Sequence, residues 1–336
     1  MHPDLISLAC DLYLTTPEVL IPLSGGHYNA VFQFPLQQAT PNSPAARFGI
    51  LRIGVADCPP EQTLSMLDFM RYLSCENAPV VAPLPSRNNQ LMESLEFEGQ
   101  RYTITAFEKA EGTLAEDIPP SQWTVDLFCS IGSAVGRLHR IAAGYHPVMA
   151  DFSRPHWLDS NEVQEAARAF AITRDPGSQK LTSLVTGLGR LPMGPDEYGL
   201  IHDDLHFANF LVHDAGQVSV IDFDDCGYGW YAMDVAMALF DVVVLYNASN
   251  EAEKQRFAWQ FLSSYLSGYR LEWGMSQFWL GQVPVFLKLK ELCIYATLQG
   301  HPDIALPDTW VGRFMSGRSE RIADDIPYVD IDFSSL

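Results

Sequence analysis

The sequence predicts an α+β protein in which a small strand-rich N-terminal part, residues 1–107, precedes a larger and mainly helical part, residues 108–336. Up to residue 107, short runs of β-forming residues alternate with glycine-containing turns. Beyond residue 112, apolar residues recur at helical spacing instead. The length of 336 residues also agrees with two domains of about 150 residues each. We therefore place a domain boundary at the change of character near residue 108.

The N-terminal part combines several strands with one helix. The segment "EVLIPLSGGHYNAVFQF" indicates a strand, a Gly-containing turn and a second strand, and "RFGILRIG" indicates a third strand centred on Leu51. The segment "PPEQTLSMLDFMRYL" starts with prolines and then places apolar residues three apart, which predicts an amphipathic helix. The segment "NNQLMESLEFEGQRYTITAF" predicts a hairpin that turns at Glu98 and Gly99.

The C-terminal part is predicted to be helical except around residue 205. The segment "LFCSIGSAVGRLHRIA" and most of residues 160–190 and 232–300 have helical periodicity. The segment "LIHDDLHFANFLVHDAGQVSVIDFDDCGYG" instead predicts a loop followed by a hairpin, and it sets Asp and His among strand-forming aliphatic residues. A buried charge costs several kcal/mol unless it is paired or binds a metal. This segment is therefore the main candidate for a functional site.

Composition narrows the range of partners and compartments. The net charge of −20 disfavours nucleic acids and anionic membranes and favours cations such as Mg²⁺ or protonated amines. Six scattered cysteines without a CxxC pair indicate a reducing compartment. The most apolar segment is interrupted by Asp234 and Asp241, which argues against a membrane span. We expect a cytoplasmic protein, and the sequence does not predict its oligomeric state.

The predicted hairpin brings two oxygen-bearing side chains together. Folding "NFLVHDAGQVSVID" about a four-residue turn at "DAGQ" places His213 opposite Val218 and Asn209 opposite Asp222. An amide oxygen and a carboxylate would then meet beside the loop that carries Asp204. Oxygen ligands of this kind suit Mg²⁺ together with phosphate oxygens.

The same segment carries a resemblance to a known family. It reads His202-Asp203-Asp204-Leu205-His206-Phe207-Ala208-Asn209 and is followed by Asp222 in "VIDFDD". This pattern resembles the kinase catalytic loop H-R-D-L-x-x-x-N with its downstream metal-binding Asp, except that Asp203 replaces Arg. The whole pattern is similar to the aminoglycoside phosphotransferase and choline kinase family, above all to small-molecule and type II homoserine kinase-like members. The resemblance implies a bilobal protein-kinase-like fold, ATP and Mg²⁺ as cofactors, and a small-molecule alcohol as acceptor.

The resemblance also implies roles for residues of the catalytic loop. Asp204 would be the catalytic base, and Asn209 and Asp222 would hold Mg²⁺. His202 would shape the loop through backbone hydrogen bonds. His206 would approach the transferring phosphate or simply pack in the loop. Asp234, in "DVA", resembles the acid that braces the catalytic loop in the family.

Residues of the N-terminal part would contact the nucleotide. The turn in "LSGGHYNAVF" resembles the phosphate loop of the family, and Arg52 stands where protein kinases carry a phosphate-pairing Lys. The acid that would pair with this cation aligns with Met66, so the partner of Arg52 stays open. The sequence does not decide between ATP and GTP. The candidate nucleotide contacts are Ser24, Gly25, Gly26, Asn29, Arg52, Phe107, Lys109 and, from the catalytic loop, His206.

Several functions remain open at this point. The leading hypothesis is an ATP-dependent kinase that acts on an amino alcohol, a homoserine-like or an aminoglycoside-like acceptor. The alternatives are a nucleotide-binding kinase-like module without phosphoryl transfer, a protein Ser/Thr kinase, and a zinc hydrolase built on His202 and His206. The candidate acceptor contacts are Asp203, Asp225, Tyr228 and Trp230, with Trp157 and Glu291 as further candidates.

Overall fold

The computed structural model describes residues 1–23, 29–37, 47–56, 58–149 and 152–336. It divides into two compact units, the first formed by residues 1–111 and 145–153 and the second by residues 112–144 and 154–336. None of the helices within the described ranges combines the length and apolar character that a bilayer crossing requires.

The first unit is built on a six-stranded antiparallel sheet with the order β1-β2-β3-β6-β4, in which β5 also pairs with β6. Two helices accompany the sheet. The bounds are α1 Pro3–Leu12, β1 Ile21–Leu23, β2 Asn29–Gln37, β3 Arg47–Val55, α2 Pro60–Cys75, β4 Pro83–Leu84, β5 Met92–Phe97 and β6 Gln100–Glu108. The predicted strands and the α2 helix are present, whereas α1 was not predicted.

Apolar residues at alternate positions of the central strands form the core of the first unit. Leu51 and Ile53 of β3 are fully buried and belong to one apolar cluster with Ile104 of β6. Leu5 and Ala9 of α1 complete that cluster on the same face of the sheet. Burial of each large aliphatic side chain contributes about 1.5–3 kcal/mol, so α1 is held by its apolar face rather than by helix propensity alone.

The hairpin between β5 and β6 turns where the sequence predicts. Phe97 pairs with Gln100, which leaves Glu98 and Gly99 as a two-residue loop. Both loop residues have positive φ angles, 50° for Glu98 and 78° for Gly99. Two consecutive residues with positive φ form the tight turn whose twist matches that of the flanking strands.

The second unit is mainly helical and contains two small sheets, β7-β9-β10 and β8-β11. Its strands are β7 Thr113–Leu114, β8 Tyr198–Ile201, β9 Phe210–Val212, β10 Val218–Val220 and β11 Gly227–Trp230. Its helices are α3 Val125–Ala142, α4 Asn161–Thr173, α5 Gly177–Leu188, α6 Tyr231–Tyr246, α7 Glu251–Tyr269, α8 Gln277–Leu280, α9 Val283–Leu298, α10 Trp310–Met315 and α11 Arg318–Ala323.

Helices α3 and α7 approach each other closely enough for backbone contact. A Cβ atom at Gly132 would lie 1.9 Å from the backbone oxygen of Tyr265, and one at Gly268 would lie 1.9 Å from that of Cys129. Real Cβ atoms do not come so close to backbone atoms, so only glycine fits these two positions. The pair of glycines therefore fixes the distance between the two helices.

The β9-β10 hairpin has a register one residue away from the predicted one. Val212 pairs with Val218, and the N–H of Ile221 donates to the backbone oxygen of Asn209 at 3.0 Å. Asn209 therefore faces Ile221 and not Asp222, and His213 faces Gln217. The reason is the turn, because Gly216 adopts a φ of 82° and closes a three-residue loop where four residues were expected.

Candidate active site

The loop that follows β8 is held by a buried carboxylate. Asp234 of α6 is fully buried and accepts hydrogen bonds from the backbone N–H of His202 at 3.0 Å and of Asp203 at 2.8 Å. Asp234 Oδ2 also lies 2.9 Å from Nε2 of His139, whose Nδ1 lies 2.9 Å from the hydroxyl of Tyr269. These bonds confirm the predicted bracing role of Asp234.

His202 shapes the loop from inside, as predicted. Its Nε2 lies 2.9 Å from the backbone oxygen of Ile221, and its Nδ1 accepts from the N–H of Asp204 at 3.3 Å. The ring is fully buried and packs on Phe223 with a centroid distance of 4.5 Å. Because both ring nitrogens bond to protein atoms, His202 cannot also bind zinc, and the hydrolase hypothesis loses its first ligand.

Two side chains of the loop contact the same carboxylate oxygen of Asp204. His206 Nε2 lies 3.1 Å from Asp204 Oδ2, and the amide nitrogen of Asn209 lies 3.4 Å from the same oxygen. That nitrogen also donates to the backbone oxygen of Asp204 at 2.8 Å and lies 3.2 Å from His206 Nε2. The side-chain bonds of Asn209 thus use its nitrogen, which leaves Oδ1 as the group able to bind a cation.

The charges around Asp204 keep it ionised. Burial alone would raise the pKa of the Asp204 carboxyl, but the hydrogen bond to His206 and the positive charge of Lys290 outweigh burial and lower that pKa to about 2. Burial opposes protonation of His206, yet its bond to Asp204 leaves the His206 pKa raised above the ordinary value. The loop therefore presents an ionised carboxylate beside an imidazole that favours its protonated form.

Asp222 lies directly after the residue that pairs with Asn209. Its φ angle is 62°, a left-handed conformation that a non-glycine residue adopts at a cost and that is typical of functional sites. Its negative charge is among those that raise the pKa of Asp225, as is that of Asp204. An exposed carboxylate at Asp222 and the free amide oxygen of Asn209 are hard oxygen donors, and this donor set fits Mg²⁺.

A second group of carboxylates behaves in the opposite way to Asp204. We call Asp203 and Asp225 the acidic edge. Burial and the charges of Glu162, Asp234 and Asp225 raise the pKa of Asp203 well above its ordinary value. Burial and the charges of Asp204, Asp224 and Asp222 raise that of Asp225. The backbone of Asp203 is also left-handed, with a φ of 68°. The acidic edge is therefore destabilised by its own negative charge.

Lys290 of α9 is the cation that faces this group. Its Nζ lies 2.7 Å from Glu162 Oε1, and only 15% of its side chain is exposed. Burial would lower the pKa of Lys290, but the charges of Glu162, Asp204 and Asp203 raise it well above the ordinary value. Neither Lys290 nor Glu162 was predicted from the sequence, although a charge inside the apolar segment "FLKLKELC" signals that a buried partner exists.

The candidate acceptor contacts differ in how accessible they are. Tyr228 is partly exposed, and its ring stacks on His156 with a centroid distance of 5.1 Å. Trp230 is fully buried, and its indole N–H donates to the backbone oxygen of Pro192 at 2.8 Å. Trp230 therefore has no exposed surface in this structure, and its burial argues against the predicted contact with an acceptor.

The two further candidates are also buried. Trp157 packs against Trp230 with a centroid distance of 5.2 Å, and only 4% of it is exposed. Glu291 is fully buried and pairs with Lys288 at 2.8 Å and with Arg318 at 2.6 Å. Both residues act within the packed interior of the second unit.

Hydrogen bonds from Arg154 fix the backbone of the turn that carries Asp225. Arg154 is buried, and its Nε donates to the backbone oxygen of Cys226 at 2.6 Å. A second guanidinium nitrogen of Arg154 donates to the backbone oxygen of Asp224. Hydrogen bonds from a charged donor are stronger than neutral ones, so Arg154 holds the carboxylate of Asp225 on a fixed turn.

Apart from His206, the predicted nucleotide contacts lie in the first unit. Asn29 opens β2 opposite Gly54 of β3, where an added Cβ would lie 1.8 Å from the Asn29 side-chain oxygen. Gly54 therefore makes room for that side chain. Arg52 is partly buried in β3, with its guanidinium carbon 5.8 Å from the ring centroid of Phe107. Ser24, Gly25 and Gly26 lie outside the described residues.

The segment expected to contact the adenine is already engaged in the sheet. Phe107 is buried in β6, the N–H of Glu108 donates to the backbone oxygen of Ala82 at 2.8 Å, and the N–H of Lys109 donates to that of Phe48 at 2.9 Å. Donors used in this way are not available to a base. A base contact by this segment would therefore use its carbonyl groups or the residues that follow.

Comparisons with known proteins agree with this arrangement. Residues 21–270 match the model of the phosphotransferase enzyme family. Amicoumacin kinase from Bacillus subtilis (strain 168) is 30% identical over 271 residues, which cover 80% of this chain and 79% of that protein. The solved structure of amicoumacin kinase hAmiN in complex with AMP-PNP, Ca²⁺ and Ami has a TM-score of 0.84 at 26% identity, covering 99% of this chain and 96% of that one.

A more distant structure shares the fold. The microcompartment-associated aminopropanol kinase has a TM-score of 0.64 at 22% identity, and the match covers 96% of this chain and 98% of that one. The chain belongs to the phosphotransferase enzyme family and has the α+β protein-kinase-like fold that the sequence predicted. It is a kinase that transfers phosphate from ATP to a hydroxyl group of a small molecule, which sets aside the module without phosphoryl transfer.

Proposed function

We propose that this kinase phosphorylates an amine-bearing antibiotic of the amicoumacin type. The observation that carries the proposal is the extent of the similarity to amicoumacin kinases. The sequence match covers about four fifths of both proteins, and the structural match covers 99% of this chain. The structural match therefore includes the C-terminal helices, where we expect the acceptor to be selected. Its TM-score of 0.84 exceeds the 0.64 of the aminopropanol kinase, although both matches cover nearly the whole chain.

The charge of the acidic edge supports a cationic acceptor. The pKa values of Asp203 and Asp225 are raised because burial and neighbouring acids disfavour their ionised forms. An ammonium group that binds beside them would offset the repulsion between these carboxylates. Because the free enzyme carries that repulsion, its relief would favour binding of the ammonium group. A carboxylate-bearing acceptor would add to the repulsion instead.

The catalytic loop supplies the chemistry in this proposal. Asp204 accepts the proton of the acceptor hydroxyl and directs its oxygen toward the transferred phosphate. Asn209 and Asp222 would hold Mg²⁺, which would neutralise charge on the phosphate oxygens. His206 keeps Asp204 ionised through the 3.1 Å contact and would contact the phosphate from there.

The remaining assignments concern the nucleotide and the setting of the enzyme. We assign residues 1–107 to nucleotide binding, through Asn29, Arg52, the segment from Phe107 to Lys109, and the glycine turn. Residues 108–336 would carry catalysis and acceptor binding. The scattered cysteines support a reducing, cytoplasmic setting.

The test is an acceptor screen with purified protein, ATP and Mg²⁺. ADP release would be measured with amicoumacin, aminopropanol, spectinomycin, kanamycin and homoserine, and mass spectrometry would check for one added phosphate on the acceptor. We expect the highest kcat/KM with amicoumacin and a kcat lower by about 10³-fold with Asp204→Asn. Turnover of homoserine or a simple amino alcohol in preference to the antibiotics would contradict the proposed acceptor, while leaving the kinase class intact.

A further inference from the structure

Helix α6 carries two aspartates that hold opposite ends of the catalytic loop. Asp234 accepts from the N–H of His202 and of Asp203, and Asp241 Oδ2 accepts from the N–H of Phe207 at 2.7 Å. Residues seven apart are two helical turns apart and lie on the same face. We propose that Asp241 is a positioning residue for the reaction, because it fixes the half of the loop that presents Asn209 to the metal.

The backbone of the loop shows why both ends need a partner. At least six of the eight N–H groups from His202 to Asn209 donate hydrogen bonds, and three of these bonds stay within the loop. The other three are those accepted by Asp234 and Asp241. Such a loop has no sheet partner for its backbone, so its conformation depends on these side-chain acceptors. Asp241 is the acceptor that serves the second half.

The bond to Asp241 is close to the proposed metal ligand. Phe207 begins a short 3₁₀ turn that ends at Asn209, and the N–H of Asn209 donates to the backbone oxygen of His206 at 2.9 Å. A shift of the Phe207 amide would therefore move Asn209 with it. The Phe207 ring is fully buried and lies 5.2 Å from the ring of Trp123, which holds the turn from its other side.

The size of the effect follows from how such supporting bonds act. Loss of a partner that orients a metal ligand typically costs about 10- to 100-fold in metal affinity or activity. We therefore expect Asp241→Ala to raise the Mg²⁺ concentration for half-maximal rate about tenfold, with a smaller effect on the KM of the acceptor. Asp241→Asn keeps an oxygen that can accept from Phe207, so it should restore most of the Mg²⁺ response.

The chain offers a matched control. Asp175 Oδ1 accepts from the N–H of Gly177 at 2.7 Å, the same kind of bond at the same length, at the start of α5. Asp175 Oδ2 also accepts from the hydroxyl of Tyr295 at 2.8 Å and from the side-chain amide of Gln299 at 3.0 Å. Asp175→Ala should therefore lower thermal stability at least as much as Asp241→Ala and leave the Mg²⁺ response unchanged. If Asp241→Ala does not fold, Asp241→Glu provides a milder displacement of the carboxylate, for which a several-fold rise in the Mg²⁺ requirement is expected.

A measurement on the protein without metal separates this inference from the proposed function, on which it rests for the role of Asn209. Hydrogen exchange followed by mass spectrometry should show faster exchange of the peptide around residues 205–210 in Asp241→Ala, and no change there in Asp175→Ala. Unchanged exchange and an unchanged Mg²⁺ response in Asp241→Ala would overturn the inference. Faster exchange without any Mg²⁺-dependent turnover in the wild type would instead count against the proposed function.

Discussion

Asp203 and Asp204 are neighbours in the chain, yet the folded protein shifts the pKa values of their carboxyl groups in opposite directions. In the centre of the loop, Asp204 bonds to His206, and its pKa is lowered to about 2. At the acidic edge, burial and other acids raise the pKa of Asp203 and of Asp225. The difference comes from partners and not from depth, because burial acts in the same direction on all three groups.

This contrast suggests that carboxylates in the same part of the protein have two different roles. A carboxylate stabilised by its own protein partners stays ionised and can orient a hydroxyl group. A carboxylate without that compensation gains most when a cation arrives from outside. We therefore propose that the centre of the loop serves the chemistry and that the acidic edge binds the acceptor.

The largest expected effect is on the centre of the loop. Asp204→Asn preserves the shape of the side chain and removes its ability to take up a proton, so we expect kcat to fall by about 10³-fold with little change in acceptor KM. Steady-state kinetics with the acceptor found in the screen would measure this. A residual kcat within tenfold of the wild type would show that Asp204 is not the base.

A smaller effect is expected when the cation shared by both regions is removed. Lys290→Met leaves Glu162, which is 33% exposed, without its partner, and should cost about 2 kcal/mol of unfolding free energy. Because the charge of Lys290 lowers the pKa of both Asp203 and Asp204, both carboxyl pKa values should rise. Carbon-detected NMR titration of the aspartates would follow both groups.

The control for this change is Lys254→Met. Lys254 pairs with Glu251 at 2.7 Å, and 18% of its side chain is exposed, so the two lysines match in burial and in the distance to their partners. It should change stability without moving the titration of the catalytic loop. If the pKa of only one of the two aspartates rose in Lys290→Met, the idea of a shared cation would fail.

The smallest effect is expected at the acidic edge and carries a distinct pH dependence. The Asp203 pKa is higher in the folded protein than the ordinary unfolded value near 3.9, so ionisation of Asp203 costs folding free energy as the pH rises above about 4. Asp203→Asn should therefore stabilise the protein at pH 7 by about 1 kcal/mol, and the gain should vanish below pH 4. Asn also tolerates the left-handed backbone at this position.

The same variant should bind a cationic acceptor less tightly. Chemical denaturation across pH 3 to 8 would measure the stability, and the KM of the acceptor would measure binding. Asp214→Asn, in the exposed hairpin loop, is the control and should show neither change. A loss of stability at pH 7 in Asp203→Asn would show that Asp203 is compensated in the folded protein after all.

Much of the site could be predicted because its residues are adjacent in the chain. The loop from His202 to Asn209 carries its chemistry in one short motif, and His202 and Asp234 hold it as the sequence predicted. The hairpin register was missed by one residue because a single glycine with positive φ decides the loop length. Periodicity does not contain that information.

The residues that were not predicted from the sequence make contacts between segments that are far apart in the chain. Lys290 and Glu162 meet from two helices, α9 and α4, and nothing in either segment names the other as its partner. Asp241 was interpreted only as a charge that interrupts an apolar segment, and its hydrogen bond to Phe207 depends on how α6 packs beneath the loop. Tertiary contacts of this kind follow from the fold and not from local pattern.

The backbone contact between α3 and α7 bears on how such an enzyme can acquire new substrates. Gly132 and Gly268 leave no room for any side chain, and the helices they join carry His139 and Tyr269, which reach Asp234 through hydrogen bonds. Mutagenesis aimed at other acceptors should therefore spare this contact between α3 and α7 and concentrate on the residues around Asp225. Variants with substitutions at the contact between α3 and α7 would mostly misfold. Variants with substitutions around Asp225 would differ in acceptor binding and keep the catalytic loop intact.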